Sequence, residues 1–359
     1  MKRAFIFFLA LIASQTDAEP LFVKERPLPS KHYQINGPAL CNTAKNTLAY
    51  LNQGHDFDPR VIHEGVWAPI PVSRIKKTLQ FICEHQHELN NPQFVKENFD
   101  FLRWYPDMNA VQRLKKKNTL LAHLPNHKIL MTKYYVHKAQ GKITTNPPYS
   151  YALHGLPKDE TSLTLEQASN LPNLLRFQHG KQDILKGALK NKPVPVLAYL
   201  TRDDLETALL QGTVVITFDN KPSQSVTFNV HRCNNIPYDK ALPPYEQQRY
   251  WYFKKVNGIK GYGKDANHKI TVNTEVTFAG DLQNFGLGKL LMIQYPSPGG
   301  KIISQAGLLA DTGGAFENNP NQIDYLSGSF AGNQAFYQAM KGLPDYVNAY
   351  IMVLKKELT

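Results

Sequence analysis

The chain has 359 residues, 41 Lys and Arg against 29 Asp and Glu, and a formal net charge of +12. That length suits about two domains with a substantial core, and the charge favours anionic partners. The basic residues are scattered, and zinc-finger spacings and RNA-binding aromatic signatures are absent. The sharpest run, Lys115-Lys116-Lys117, reads as a solvated helix end, so nucleic acid is not the expected partner.

Taken from the start, Lys2 and Arg3 precede a ten-residue apolar core at 4–13, too short to span a bilayer. Thr16-Asp17-Ala18 offers a small-residue cleavage site, so residues 1–18 read as a signal peptide. No cysteine follows the apolar core and no later run is long enough to cross a membrane. The expected location is periplasmic or secreted, a compartment that permits disulfides. Cys41, Cys83 and Cys233 are too few and too dispersed for a metal site or a disulfide framework; Cys41 and Cys83 form either a bridge or two buried thiols.

Residues 19–38 carry Pro20, Pro27, Pro29 and Pro38 and read as an extended lead-in. Leu40, Ala44, Leu48 and Leu51 have helical spacing up to Gly54. Pro71 and Ser73 open a second helix with Ile75, Leu79, Ile82 and Cys83 on one face. Pro92 opens a third, with Phe94, Val95, Phe99 and Leu102 apolar. His85 and His87 lack a third ligand and read as a helix C-terminal contact.

From residue 128 the pattern turns to short strands. Residues 129–136 are dense in β-formers, and 140–160 are turn-rich. A short helix is expected at 183–189, then strand or strand–helix pieces at 194–200, 205–210, 213–218 and 225–230. The last two form a hairpin turning at 219–222. Strands at 250–256, 269–278, 289–295 and 301–309 follow, then a helix at 331–340 and a strand at 346–354. Lys260-Gly261-Tyr262-Gly263-Lys264 lacks phosphate-loop spacing. Trp67, Trp104 and Trp251 read as core or groove residues. Helices first and many strands after predict a mainly β protein with barrel-like domains and helical decoration.

Residues 308–330 stand out. Leu308, Leu309 and Ala310 lead into Asp311, Thr312, Gly313 and Gly314, a buried strand ending in a turn where backbone comes close to something. Asp324 lies on a second short strand, 323–326. Two carboxylates at strand ends can converge on one pocket, where crowding and desolvation hold one protonated for general acid catalysis. The plainer reading makes Asp311 a turn cap and Asp324 an exposed strand residue.

The ordered set Ala279-Gly280-Asp281, then Asp311-Thr312-Gly313-Gly314-Ala315, then Asp324 before Tyr325 and Gly328 resembles the three-aspartate domain of the lytic murein transglycosylase A family. Met131-Thr132-Lys133-Tyr134-Tyr135 resembles its Leu-Thr-Gly-Tyr-Tyr motif. Ile184 to Gly187, Leu197-Ala198-Tyr199 and Gln211-Gly212 follow the order of its inserted domain. Asn234-Asn235-Ile236-Pro237-Tyr238 and Tyr250-Trp251-Tyr252-Phe253 resemble the segments that lead back. The resemblance covers roughly residues 128–354. It departs at Lys133, where the family has glycine, at Thr213 and Val214 in place of a glycine-rich stretch, and in a short segment between Tyr238 and Tyr250.

The resemblance implies a double-psi β-barrel main domain with N-terminal helices, built from 19–136 and 245–359 and interrupted by a second barrel-like domain at 137–244. It implies non-hydrolytic cleavage of the MurNAc–GlcNAc bond of peptidoglycan glycan strands, with no cofactor and no metal. Asp324 would be the acid/base and Asp311 its support. Thr132, Tyr134, Gln211, Gly313 and Asp281 would be substrate-side residues, with Asp281 of structural bent. Two other readings stay open. One is a non-catalytic peptidoglycan-binding protein, to which Lys133, Thr213 and Val214 point. The other is a hydrolytic glycanase, which needs a further carboxylate such as Asp281 or Glu275 to activate water.

Overall fold

The computed structural model describes residues 20–116, 118–239, 241–314, 316 and 319–356. The expected signal peptide at 1–18, Lys117 of the basic run, and Ala315 lie outside the described residues.

The helical start holds. Asn36 caps the helix Gly37–Leu51 through the Ala39 N–H, and Val72–Glu84 packs against it, joined by a Cys41–Cys83 disulfide. Of the two alternatives for these thiols, the bridge is the one formed. The third helix is shorter than the spacing predicts. Pro92–Asn98 is helical, but Phe99–Tyr105 is a strand with Phe99 and Phe101 buried. The aromatic and alternating run FDFLRWY favours the pleated surface over continued helix. The His85 ring lies tilted against Phe81 and Phe94 and pairs with Glu88 at 2.8 Å, a helix-end contact.

One large mixed sheet organises the rest. Its order is Leu21–Lys24, Phe99–Tyr105, Tyr346–Leu354, Leu290–Pro296, Ile302–Asp311, Thr277–Ala279, Gln322–Phe330, Ile129–Gly141, Thr213–Phe218, Lys221–Cys233 and Trp251–Val256. A further pairing of Tyr346 and Val347 with Leu130 and Ile129 closes the strands from Tyr346–Leu354 round to Ile129–Gly141 into a ring. Such closure leaves no free edge among those strands. The ring strand Leu290–Pro296 is a nearly continuous apolar run, with its first six residues buried. Leu291, Ile293, Leu308, Ile323, Val347 and Ile351 lie in one core that also takes the helix faces of Leu40, Leu79 and Ile82.

The strand Ile129–Gly141 runs out of this ring. Its first half pairs with Gln322–Phe330 and its last five residues with Val214–Phe218. Beyond that handover a second core forms around Leu153, Leu200, Leu205, Val214, Ile216 and Phe253. Nearby, buried Glu160 receives both Arg176 and Arg232, at 2.9 and 2.8 Å. Of the strand or strand–helix pieces, residues 205–210 are the helical one, within the helix Arg202–Gln211. Thr201 caps it, Asp203 and Asp204 sit in its first turn, and Gly212 ends it at φ 75°. The expected 269–278 strand breaks into Lys269–Val272 and Thr277–Ala279, with Glu275 at φ 67° in the turn between.

Candidate active site

The site lies where the ring meets the handover. Asp311 ends the strand Ile302–Asp311 and Asp324 lies on Gln322–Phe330, with the short strand Thr277–Ala279 between them. Ala279 pairs with Asp324 on one side and Asp311 on the other. The second pairing depends on a bulge. Phe278 faces Leu309, yet Ala279 faces Asp311, so Ala310 is the extra residue. Without that insertion Asp311 would move out of register and its side chain to the opposite face.

Each carboxyl has a distinct set of neighbours. The Tyr134 hydroxyl donates to Asp311 Oδ2 at 2.7 Å, and the Thr312 N–H to Oδ1 at 2.8 Å. Thr312 is itself tied to the Gly280 carbonyl at 2.7 Å, which fixes the turn. Desolvation pushes the Asp311 pKa up to about 6, against the pull of Tyr134, Thr312 and Lys269. Asp324 goes further, to about 7, by desolvation first and then by the like charge of Asp311, with the Thr132 hydroxyl pulling the other way. Its Oδ1 is buried with no hydrogen-bond partner among the described residues. A buried carboxyl oxygen without a donor favours the neutral acid.

Both aspartates open onto one groove. Its wide part, about 1340 Å³, is lined by Asp324, Lys133, Tyr134, Gln211, Arg249 and Trp251, among others. A narrow part, about 310 Å³, is lined by Asp311, Asp324, Tyr134, Gln211, Gly313 and Lys269, among others. Thr132 pairs in register with Asp324 and accepts from Gln322 Nε2 at 2.9 Å. Gln211 Oε1 accepts from the Tyr135 N–H at 3.3 Å, at the C-terminus of its helix. The structure therefore gathers Asp311, Asp324, Thr132, Tyr134, Gln211 and Gly313.

Asp281 is elsewhere in role. It is buried, caps the helix Leu282–Phe285, and accepts from the Asn284 N–H and side-chain amide at 3.2 and 2.8 Å. A carboxylate so engaged holds the turn after Ala279, and Asp281 is not among the groove-lining residues. Glu275 is exposed in its turn and is not among the groove-lining residues. Glu206 does line the wide part, but Lys181 and Arg202 hold it at 2.6 and 2.7 Å.

The motif departures have structural partners. Lys133 donates to the Pro344 carbonyl at 2.8 Å and pairs with Asp345 at 2.5 Å. Thr213 Oγ1 accepts from Asn229, and Val214 is fully buried. Sequence reading missed Lys269, whose pKa burial lowers to about 8 while Asp311 pulls it back up. A lone lysine opening a strand carries no signal of its own. The neighbouring strand Ile259–Gly263 packs against the Asp311 strand, with Gly261 at the contact. A Cβ there would stand 2.7 Å from the Ala310 carbonyl oxygen. Among the described residues no group of three or more His, Cys, Asp or Glu could hold a metal, and no helix is long and apolar enough to cross a membrane.

The fold has counterparts among solved structures. A membrane-bound lytic murein transglycosylase from Agrobacterium tumefaciens superposes with a TM-score of 0.65 at 15% identity, over 94% of this chain and 98% of that one. The chain has the MltA fold. MltA from E. coli with bound chitohexaose matches with a TM-score of 0.60 at 14% identity, over 94% and 96% of the two chains. MltA from Neisseria gonorrhoeae matches at 0.56 and 14%, over 89% and 87%. No protein-family model matches the sequence, and no curated relative does. The likeness to MltA is thus carried by tertiary structure, at identities where few side chains coincide.

Proposed function

We propose that this protein is an exported lytic transglycosylase that cleaves the MurNAc–GlcNAc bond of peptidoglycan glycan strands without adding water. The observation that carries the reading is Asp324: a groove-lining carboxyl with its pKa raised to about 7 and one oxygen unpartnered among the described residues. Such a group holds a proton near neutral pH and can give it up. The MltA fold supports the substrate class, since one solved MltA holds chitohexaose.

In this reading Asp324 protonates the glycosidic oxygen as the bond to the muramoyl C1 breaks. The resulting carboxylate then takes the proton of the muramoyl 6-hydroxyl, whose oxygen bonds to C1. The products are a new 4-hydroxyl and a 1,6-anhydro end. One carboxyl serves both transfers because the nucleophile is already attached to the sugar. Asp311 stays ionised and holds the proton on Asp324 by like charge. Thr132 and Tyr134 position the two carboxyls, and Gln211 and Gly313 line the path of the glycan. Hydrolysis is disfavoured because Glu275 and Asp281 do not line the groove and Glu206 is ion-paired. The ring of strands would be a double-psi barrel completed by 19–136 and 245–359, with 137–244 inserted. Residues 1–18 would direct export to the periplasm or beyond.

The test is mass spectrometry of soluble products from purified murein sacculi. Anhydro-muropeptides from the wild type and none from Asp324→Asn are expected. Reducing-end products would replace this reading by a hydrolase. Sacculus binding without any release would replace it by a binding protein.

A further inference from the structure

The lysines beside Asp311 have no role in the reading above. The hairpin of Ile259–Gly263 and Lys269–Val272 lies over the end of the Asp311 strand, close enough that a Cβ on Gly261 would contact Asp311 Cβ at 3.5 Å. Lys269 reaches from this hairpin into the narrow part of the groove with Asp311. Its ammonium donates to Asn229 Oδ1 and, at 3.2 Å, to the Val230 carbonyl, both neutral acceptors. Asn229 in turn donates to the Gly212 carbonyl and Thr213 Oγ1 at 3.0 and 2.8 Å, which anchors the ammonium to the opposite wall.

The other charged groups around it are cationic. Lys254 and Lys260 act on Lys269 with like charge, and their own donors go to Asn267 and Thr271 at 2.7 Å each. His231 is also near, and burial together with Lys254, Arg232 and Lys269 lowers its pKa to about 4. Asp265 faces His231 and is paired with His268 at 2.8 Å. From the ring side Asp311 meets Tyr134 and Asp324. Asp311 is thus the carboxylate that answers Lys269, and the attraction acts on both partners.

We propose that Lys269 is a positioning residue for the acid/base step: its ammonium keeps Asp311 ionised, and ionised Asp311 keeps the proton on Asp324. This rests on the lytic-transglycosylase reading for its consequence, but the placement of the proton needs no substrate. A neutral residue at 269 would let Asp311 compete for the proton that Asp324 must donate.

The experiment is site-resolved carbon NMR titration of the Asp carboxyls in wild type, Lys269→Met and Lys269→Arg. In Lys269→Met the Asp311 midpoint rises by about one unit and the Asp324 midpoint falls, while Lys269→Arg keeps the wild-type order. Unmoved midpoints, or two that move together, would overturn the proposal. If Lys269→Met does not fold, the lysine ε-carbon titration of Asp311→Asn decides: the Lys269 midpoint drops below its wild-type value, and an unchanged midpoint sinks the idea. Failure of the lytic reaction itself shows separately, as absence of anhydro products from wild type.

Discussion

Asp311 and Asp324 pair with the same residue, Ala279, from opposite sides. Register partners on neighbouring strands project from one face, so the two carboxyls stand on the same side with only a methyl group between them. Their strands are two spacings apart, about 10 Å between backbones. Side chains across that gap sense each other's charge without sharing a hydrogen bond, and this like charge adds to desolvation in raising the Asp324 pKa.

Replacing Asp324 by Asn removes the transferable proton and keeps the shape. Anhydro-product release should fall by about 10³-fold or more, with sacculus binding retained, as pelleting assays would measure.

The pH profile follows from the same pair. Activity needs a protonated Asp324 and an ionised Asp311, so kcat/KM should peak between about 6 and about 7 and fall on both sides. Asp311→Asn removes the like charge and should move the alkaline limb to lower pH. A profile flat from pH 5 to 9 would contradict the assignment.

Stability responds in a defined direction. Both folded-state values lie above those of free carboxyls, so the native state binds these protons more tightly. The stability gained is full below about pH 4 and is lost as pH rises through about 6 and about 7. Asp324→Asn should therefore be more stable than wild type at pH 8, by roughly 4 kcal/mol, with little difference at pH 4. Thermal melts at the two pH values read this.

Tyr134→Phe deletes one donor to Asp311 and no packing. Asp311 should titrate higher and activity fall about 10- to 100-fold, with far-UV circular dichroism unchanged.

The Cys41–Cys83 bridge closes a loop across a sequence separation of 42. Its removal by Cys41→Ala with Cys83→Ala should cost about 2–4 kcal/mol, and reductant should lower the melting temperature of the wild type but not of the double variant.

Much of this was legible in the chain. The helix Gly37–Leu51 follows from the spacing of Leu40, Ala44, Leu48 and Leu51, and Tyr346–Leu354 from a run rich in strand formers, among them Val347, Tyr350, Ile351 and Val353. Asp311 and Asp324 stood out because charge is scarce around them. These are local signals: periodicity, caps and turn residues act over a few neighbours. What the fold alone decided is non-local. The bulge at Ala310 sets which face Asp311 occupies, and it exists only against Thr277–Ala279, a separate segment earlier in the chain. Asp281, which matched a motif as well as the other two aspartates did, was assigned to a helix cap by its neighbours. Lys269 was invisible because its meaning is a charge in a shared cavity, and a Coulomb interaction depends on distance in space and on exclusion of water, neither of which the order of residues records.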